Sequence, residues 1–333
     1  MVFVKGAFFG AYSAIDLQIR FESPILILQS TMKKHKYPWA LVLSGGGAKG
    51  LAHIGVLKAI EEAGFPRPCL VVGTSMGAII GGLYACGVPP KEMARFVVEE
   101  FNVSDYLESF VFKLHGPVGK VFQTGQILAS LSTRPGLDTG HRVLELLEGL
   151  CGGKNFDETE IPFRCNALDL LSGREVVFSS GSVARAIRAS MSFPVFFEPF
   201  VDNGMCLVDG GLLDNMPVAI ARKAGFKRVL AVDVNRFTLQ DLTDFKNGPQ
   251  VIFRSVECVL NALEERKFPA DLTLNVTDDT TPFSFFKQKE HIELGQRAVR
   301  ENLRTLEHFF RPQFEHFVKP RVCGIEAVIG TDG

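Results

Sequence analysis

No Cys-x-x-Cys pair occurs in the 333 residues, and the seven cysteines, at 69, 86, 151, 165, 206, 258 and 323, are scattered. An odd, dispersed set argues against a disulfide framework and fits a reducing compartment. The seven histidines are dispersed too, without the His-Glu-x-x-His spacing of a metal site, so neither a metal nor another cofactor is expected. No uninterrupted apolar run approaches the roughly 18 residues that span a bilayer. Neither sign of charge is in excess, with 36 Lys and Arg against 37 Asp and Glu, which argues against nucleic-acid binding by bulk charge. The start of the chain lacks a basic n-region, an unbroken apolar h-region and a small-residue cleavage site, so it does not read as a signal peptide. A cytoplasmic or peripheral-membrane location is the expectation. Trp and Tyr are scarce, at one and four, against 29 Phe. Core packing accounts for the phenylalanines in the plainer reading, and a lipid-facing rim in the sharper one.

What is present is an ordinary globular composition, 46% hydrophobic and 22% charged. That excludes general disorder, collagen and a bare coiled coil. Three units are expected along the chain. Residues 1–37 form an arm. Its first 31 residues read as a mis-assigned start ahead of Met32 or as a dispensable piece, with an uncleaved membrane-associating segment as the competing reading. Residues 38–310 form one continuous domain, and 311–333 a tail that is loosely ordered beyond Pro320.

The domain opens with α/β alternation. Ala40–Leu43 is a fully apolar run, as a buried parallel strand requires. A glycine-rich turn follows, then apolar residues at 51, 54, 57 and 60, a helical period that Gly64 can stop. Cys69–Val72 is the next strand and Met76–Cys86 the next helix, ended by Gly87 and Pro89-Pro90. This opening predicts an α/β fold with a parallel sheet covered by helices. Further strands are expected at Phe163–Leu168, Glu175–Phe178, Cys206–Val208, Val229–Val232 and Leu272–Val276. A helix is expected over Ser182–Ser190 with Ser182 as its N-cap, and a long amphipathic one over Lys289–Phe309. The stretch 92–160 reads as more helical and less regular.

Three motifs carry chemistry. Gly73-Thr74-Ser75-Met76-Gly77 is a G-x-S-x-G between an apolar strand and a helix. A serine on so sharp a turn needs neighbours without Cβ atoms, and the turn projects its Oγ outward at a helix N-terminus, where free N–H groups favour developing negative charge. Gly45-Gly46-Gly47-Ala48-Lys49-Gly50 also stands between a strand and a helix. Taken alone it suggests dinucleotide binding, but the next strand ends in Val72-Gly73 and not in the acidic residue a ribose needs. What remains is a nest of N–H groups able to hold an oxyanion, with Lys49 adding a charge or simply solvated. Asp209-Gly210-Gly211 follows the apolar run Cys206–Val208. A carboxylate there can approach another loop closely, with Asp214 as a neighbour, although Asp-Gly alone is most often a turn.

Together and in this order, the three motifs resemble the patatin-like phospholipase family. Gly45–Gly50 resembles its oxyanion loop, Gly73–Gly77 its nucleophile elbow, and Asp209–Gly211 its Asp-Gly-[Ala/Gly] motif. Asn166–Phe178, Ala189–Pro194 and Asp209–Pro217 resemble its flanking segments, so the likeness covers about 38–310. Two departures are mild: Lys49 stands where arginine is common, and Asp214 where a small or amide residue often stands. The resemblance implies a three-layer α/β/α fold around a central, mostly parallel sheet. It implies a Ser–Asp dyad, with Ser75 as nucleophile and Asp209 as proton acceptor. N–H groups of Gly46, Gly47, Ala48 and Met76 would receive the oxyanion, and Lys49 would serve lipid phosphate or loop rigidity. A carboxylate of pKa about 4 is a poor base for a hydroxyl, so burial has to raise it.

The implied substrate is a fatty-acyl ester in a phospholipid, lysophospholipid or neutral glyceride, with peripheral membrane contact. The aromatic clusters Ser192–Phe200 and Pro282–Lys289 are candidates for lining an acyl channel or resting on a membrane, against ordinary packing. His53 reads as a packing or loop-supporting residue. Three other readings stay open: an α/β-hydrolase triad of Ser75, Asp209 and His291, a non-catalytic lipid-binding or regulatory module on the same fold, and a nucleotide-binding protein using the glycine loop.

Overall fold

In the computed structural model the described residues are 38–106, 134–237, 239–242, 245, 248–264, 269–276 and 287–311. The arm before residue 38, the tail beyond 311 and the aromatic cluster Phe283–Phe286 lie outside them. Ten strands are described: β1 (Ala40–Leu43), β2 (Leu70–Gly73), β3 (Gly136–Asp138), β4 (Phe163–Asp169), β5 (Arg174–Phe178), β6 (Val195–Phe197), β7 (Phe200–Asp202), β8 (Met205–Asp209), β9 (Val229–Asp233) and β10 (Leu272–Asn275). The main helices are α1 (Ala52–Glu62), α2 (Met76–Ala85), α3 (Pro90–Arg95), α4 (Val103–Tyr106), α5 (His141–Leu150), α6 (Val183–Ser190), α7 (Val218–Lys223), α8 (Gly248–Glu264), α9 (Gln288–Glu301) and α10 (Leu303–Phe310).

The apolar runs sit at the centre of the main sheet, where a strand covered on both faces must be apolar at every position. β1 and β2 are buried throughout. The sheet runs β10-β9-β1-β2-β4-β8-β7, with β5 also paired to β4. β10, β9, β1, β2 and β4 are parallel, β5 and β8 pair antiparallel with β4, and β7 pairs antiparallel with β8. Side-chain alternation sends β1 to two cores. Leu41 and Leu43 pack with Ile54, Leu57, Leu83 and Ile187 on one side, while Ala40 and Val42 pack with Val218, Ile220 and Phe226 on the other. The result is the expected three-layer α/β/α arrangement. β3 and β6 form a separate parallel pair.

The register around β4 determines where the chemistry sits. Cys165 pairs with Gly73 of β2 and with Phe178 of β5, so those two strands lie on opposite edges of β4. Ala167, Leu168 and Asp169 pair with both β5 and β8, so β8 shares the edge occupied by β2. β2 and β8 therefore run toward one another along a single edge. β2 ends opposite Cys165 and β8 ends opposite Ala167, leaving only Asn166 between their registers.

The expected strands are found to within a residue or two. Ser182 caps α6, its Oγ accepting from the Arg185 N–H at 3.4 Å. The helix expected over Lys289–Phe309 is two helices that meet at Asn302, whose Nδ2 donates to the Ala298 carbonyl at 2.9 Å. A side chain competing for the helix's own carbonyls favours a break there, while the apolar periodicity continues across it. All six cysteines among the described residues are free thiols. Among these residues no helix is long and apolar enough to cross a membrane.

Candidate active site

Ser75 lies between β2 and α2 with φ 53° and ψ −119°, a conformation L-residues rarely adopt. Its neighbours allow the turn to be this tight. A Cβ on Gly73 would run into the Gly77 carbonyl, and one on Gly77 into the Leu43 carbonyl. Thr74 is wholly buried, and its hydroxyl donates to Asn166 Oδ1 at 2.7 Å. Asn166, the residue left between the two strand ends, also donates to the Asp214 carbonyl at 2.9 Å. The elbow is thus tied to the loop beyond β8 through the gap in the sheet.

Asp209 ends β8 and faces Ser75 across that gap. Ser75 Oγ donates to Asp209 Oδ2 at 2.6 Å, and the Gly211 N–H donates to Oδ1 at 2.8 Å. A Cβ on Gly210 would crowd the Asn166 carbonyl at 2.5 Å. The two carboxylate oxygens are therefore held from opposite sides. Asp209 is 2% exposed, and burial pushes its carboxyl from 3.8 up to about 6 against the pull of both hydrogen bonds. Such a group is still ionised at pH 7, and it is a better proton acceptor than an ordinary carboxylate. Ser75 keeps part of its surface open.

The glycine loop lies beside the elbow. The Gly45 N–H donates to the Asn215 carbonyl at 3.1 Å, which removes it from the set of open donors, and a Cβ on Gly45 would stand 3.2 Å from Ser75 Cβ. Gly46 precedes a 3-10 turn, Gly47–Leu51, and Gly47 takes a φ of 56°. The first N–H groups of such a turn have no partner within it, so those of Gly47 and Ala48 are available to an anion. Gly50 brings the loop against the elbow, since a Cβ there would crowd Met76 at 2.6 Å. Met76 opens α2, where the helix dipole favours negative charge. Lys49 lies within electrostatic reach of Asp233, whose carboxyl burial raises while Arg236 and Lys49 draw it down.

The two histidines raised by the sequence stand apart from this geometry. His53 is wholly buried, and its Nε2 donates to the carbonyl of Ser44, the residue before the glycine loop, at 2.8 Å. His291 is buried on α9, which packs on α1. The hydrogen bonds described for the Asp209 carboxylate come from Ser75 and Gly211, not from His291. Of the first aromatic cluster, Phe193, Phe196, Phe197 and Phe200 are all half-buried, and Phe197 and Phe200 pack against Arg188.

Sequence reasoning missed residues that fasten the site: Asn166 as a bridge, Asn215 against Gly45, Ser190 on the Ser75 N–H, Ser192 on the Asp209 N–H, and Arg188 on the Ser192 hydroxyl. Asn166, Ser190, Ser192 and Asn215 fall in flanking segments of the resemblance, but nothing in their spacing signals that they converge.

The chain is 37% identical over 197 residues to Lysophospholipase nte1 of Emericella nidulans, which is 58% of this chain and 12% of that protein. It is 38% identical over 210 residues to human Patatin-like phospholipase domain-containing protein 6, which is 62% of this chain and 14% of that protein. The match thus spans a small part of these relatives. Among solved structures, VipD from Legionella pneumophila aligns with a TM-score of 0.47 at 16% identity, covering 81% of this chain and 67% of that one. Residues 41–222, over half of the sequence, match the family described as Patatin-like phospholipase, and the chain belongs to that family.

Proposed function

We propose that this chain is a serine acyl hydrolase that cleaves fatty-acyl esters of lipids, with a lysophospholipid as the favoured substrate class. The observation that carries the reading is the 2.6 Å hydrogen bond from the half-open Ser75 Oγ to the buried Asp209 carboxylate. Ser75 Oγ attacks the ester carbonyl carbon as its proton passes to Asp209. The carbonyl oxygen becomes an oxyanion facing the N–H groups of Gly46, Gly47, Ala48 and Met76. Removing one such donor typically costs about 10²–10³ in rate. Collapse breaks the ester C–O bond, and the leaving alcohol takes the proton from Asp209. Water then attacks the acyl-Ser75 ester, giving its proton to Asp209, and the fatty acid leaves while the proton returns to Ser75 Oγ. No histidine is needed. The choice of lysophospholipid rests on the likeness to the lysophospholipase of Emericella nidulans.

The same reading includes contact with a lipid aggregate. β4 runs past the end of β2 on the Ser75 side, and the turn that follows it carries Leu170 and Leu171, 52% and 72% exposed. At about 3.3 Å per residue this turn stands roughly 10 Å beyond the level of Asp209. Lys49 is assigned to loop rigidity, through Asp233.

The test uses the full chain with a fluorophosphonate probe and intact-mass detection, then lysophosphatidylcholine micelles and a soluble short-chain ester. Wild type is expected to gain one adduct, on Ser75, and to hydrolyse both substrates. Ser75→Ala is expected to lose labelling and hydrolysis with its fold intact. Labelling of Ser75→Ala at the wild-type rate would sink the assignment. Wild-type binding of lipid without turnover would favour the non-catalytic module.

A further inference from the structure

One short turn touches the backbone of both members of the dyad. Ser190 closes α6 and Ser192 follows it, and both are wholly buried. Ser190 Oγ accepts the Ser75 N–H at 3.0 Å. The Ser192 carbonyl accepts the Asp209 N–H at 3.0 Å. The 2.6 Å reach from Ser75 Oγ to Asp209 is therefore spanned from behind by residues 190–192.

That turn is itself pinned. Arg188 is 1% exposed. Its Nη1 donates to Ser192 Oγ at 2.5 Å, its Nη2 to the carbonyls of Thr139 at 2.7 Å and Glu198 at 3.3 Å, and its Nε to the Gly140 carbonyl at 3.3 Å. Ser192 Oγ returns a hydrogen bond to the Arg188 carbonyl at 2.7 Å. The rings of Phe197 and Phe200 lie 5.1 and 5.7 Å from the guanidinium carbon. A side chain at Gly140 would run into the guanidinium. A buried arginine with this many carbonyl partners is a fixed anchor, because its planar fork holds several groups at once.

Ser75 has particular need of such an anchor. Its φ of 53° and ψ of −119° persist only if the surroundings hold them. The Ser75 N–H is the backbone group most directly able to hold that turn, and its acceptor is the Ser190 hydroxyl. Without that hydroxyl a donor in the elbow loses its partner and the elbow is free to relax, which moves Oγ relative to the carboxylate.

We propose that Ser190 and Ser192, held by Arg188, are positioning residues that set the reach between Ser75 Oγ and the Asp209 carboxylate. Ser190 acts by fixing the elbow and Ser192 by fixing the end of β8. This rests on the reading of Ser75 as nucleophile and Asp209 as its base.

The experiment uses the full-length chain, a fluorophosphonate to count reactive sites by intact mass, and a soluble short-chain ester for kcat and KM. In Ser190→Ala, nearly every molecule is expected to label on long exposure. The labelling rate and kcat should both fall, by about 10-fold to 100-fold, the scale for misplacing a reacting atom by an ångström. KM should stay within about twofold, because no substrate contact is removed. Ser192→Ala is expected to lose rate in the same way but less, and it decides the matter if Ser190→Ala does not fold. Wild-type rates in the folded variants would overturn the proposal. So would a loss of activity matched by an equal loss of labelled molecules, which marks a purely structural role. Labelling of Ser75→Ala at the wild-type rate would instead overturn the dyad itself, so the two failures are distinct.

Discussion

Two buried polar regions lie near the central strands, one along α1 and one at the junction of β2 with β8. At the first, His53 is fully buried, and burial lowers its pKa from 6.5 to about 4. It is a neutral ring holding the Ser44 carbonyl under the glycine loop. α1 and α9 touch backbone to backbone, since a Cβ on Gly55 would overlap the Ile292 carbonyl and one on Gly295 the Ala52 carbonyl. At the second, Asp209 is just as buried and its pKa moves from 3.8 to about 6. The difference lies in what each shifted group faces. His53 faces a carbonyl that cannot react. Asp209 faces a hydroxyl that is half-open and seated at a helix N-terminus. A shifted pKa marks a candidate site only when it is aimed at an accessible reacting atom.

The largest expected effect comes from removing the acceptor at the second region. Asp209→Asn is expected to lose at least about 10³-fold in kcat, the scale of removing a catalytic group. Its effect on stability should have the opposite sign. The folded carboxyl titrates near 6 and the unfolded one near 3.8. A raised pKa gives stability that is fully present below 3.8 and lost as pH rises through 6. Those two units correspond to about 3 kcal/mol of burial cost above pH 7. Melting curves at pH 4 and pH 7.5 check this. The variant should gain on wild type by several degrees between the two, and a variant that loses ground at pH 7.5 would show that the ionised carboxylate is not strained by its burial.

The contrast between the regions also separates what the sequence discloses from what it hides. The elbow, the glycine loop and Asp209-Gly210-Gly211 are legible because each is local, and close backbone approach forces glycine into fixed places. β1, β2 and β9 are legible because burial on both faces forces unbroken apolar runs. The three-residue strands β3, β6 and β7 are too short to carry a period. The break at Asn302 is hidden because apolar positions 298 and 306 keep step across it. The fastening of the site is hidden for a different reason. Ser75 meets Ser190 across 115 residues and Thr74 meets Asn166 across 92. Serine and asparagine are ordinary residues whose roles come from the register of β2, β4 and β8. That register is a property of the sheet and of no single segment.

The next effect belongs to the first region and falls on stability alone. Gly295→Ala places a methyl against the Ala52 carbonyl, so α1 and α9 have to part. Overpacking of this kind costs about 1–3 kcal/mol, occasionally more. For a domain of this size each kcal/mol lowers Tm by about 2–4 °C, so a fall of about 5 °C is expected. The molecules that remain folded should label and turn over at the wild-type rate, because the backbones of Ser75 and Asp209 are bonded to Ser190 and Ser192 and not to α9. A rate loss per labelled site would mean that the helix interface also sets the elbow, and the contrast between the regions would break.

The smallest effect is expected from the histidines. Asp209, titrating near 6, should produce the acid limb of the kcat profile, with activity falling as pH drops through that value. His53→Gln keeps an N–H donor in reach of the Ser44 carbonyl, and His291→Ala removes a ring from the α1–α9 side. Each should hold kcat within about tenfold and leave the midpoint of the limb in place. In the stability of wild type, His53 opposes Asp209. A lowered pKa gives stability that is present above 6.5 and lost as pH falls through 4. Relative to wild type, His53→Gln should gain Tm as pH falls from 6.5 to 4 without moving the kcat midpoint, because the variant lacks the ring that resists protonation and keeps Asp209. A folded His291→Ala with no activity would place a histidine in the proton path and replace the dyad with a triad.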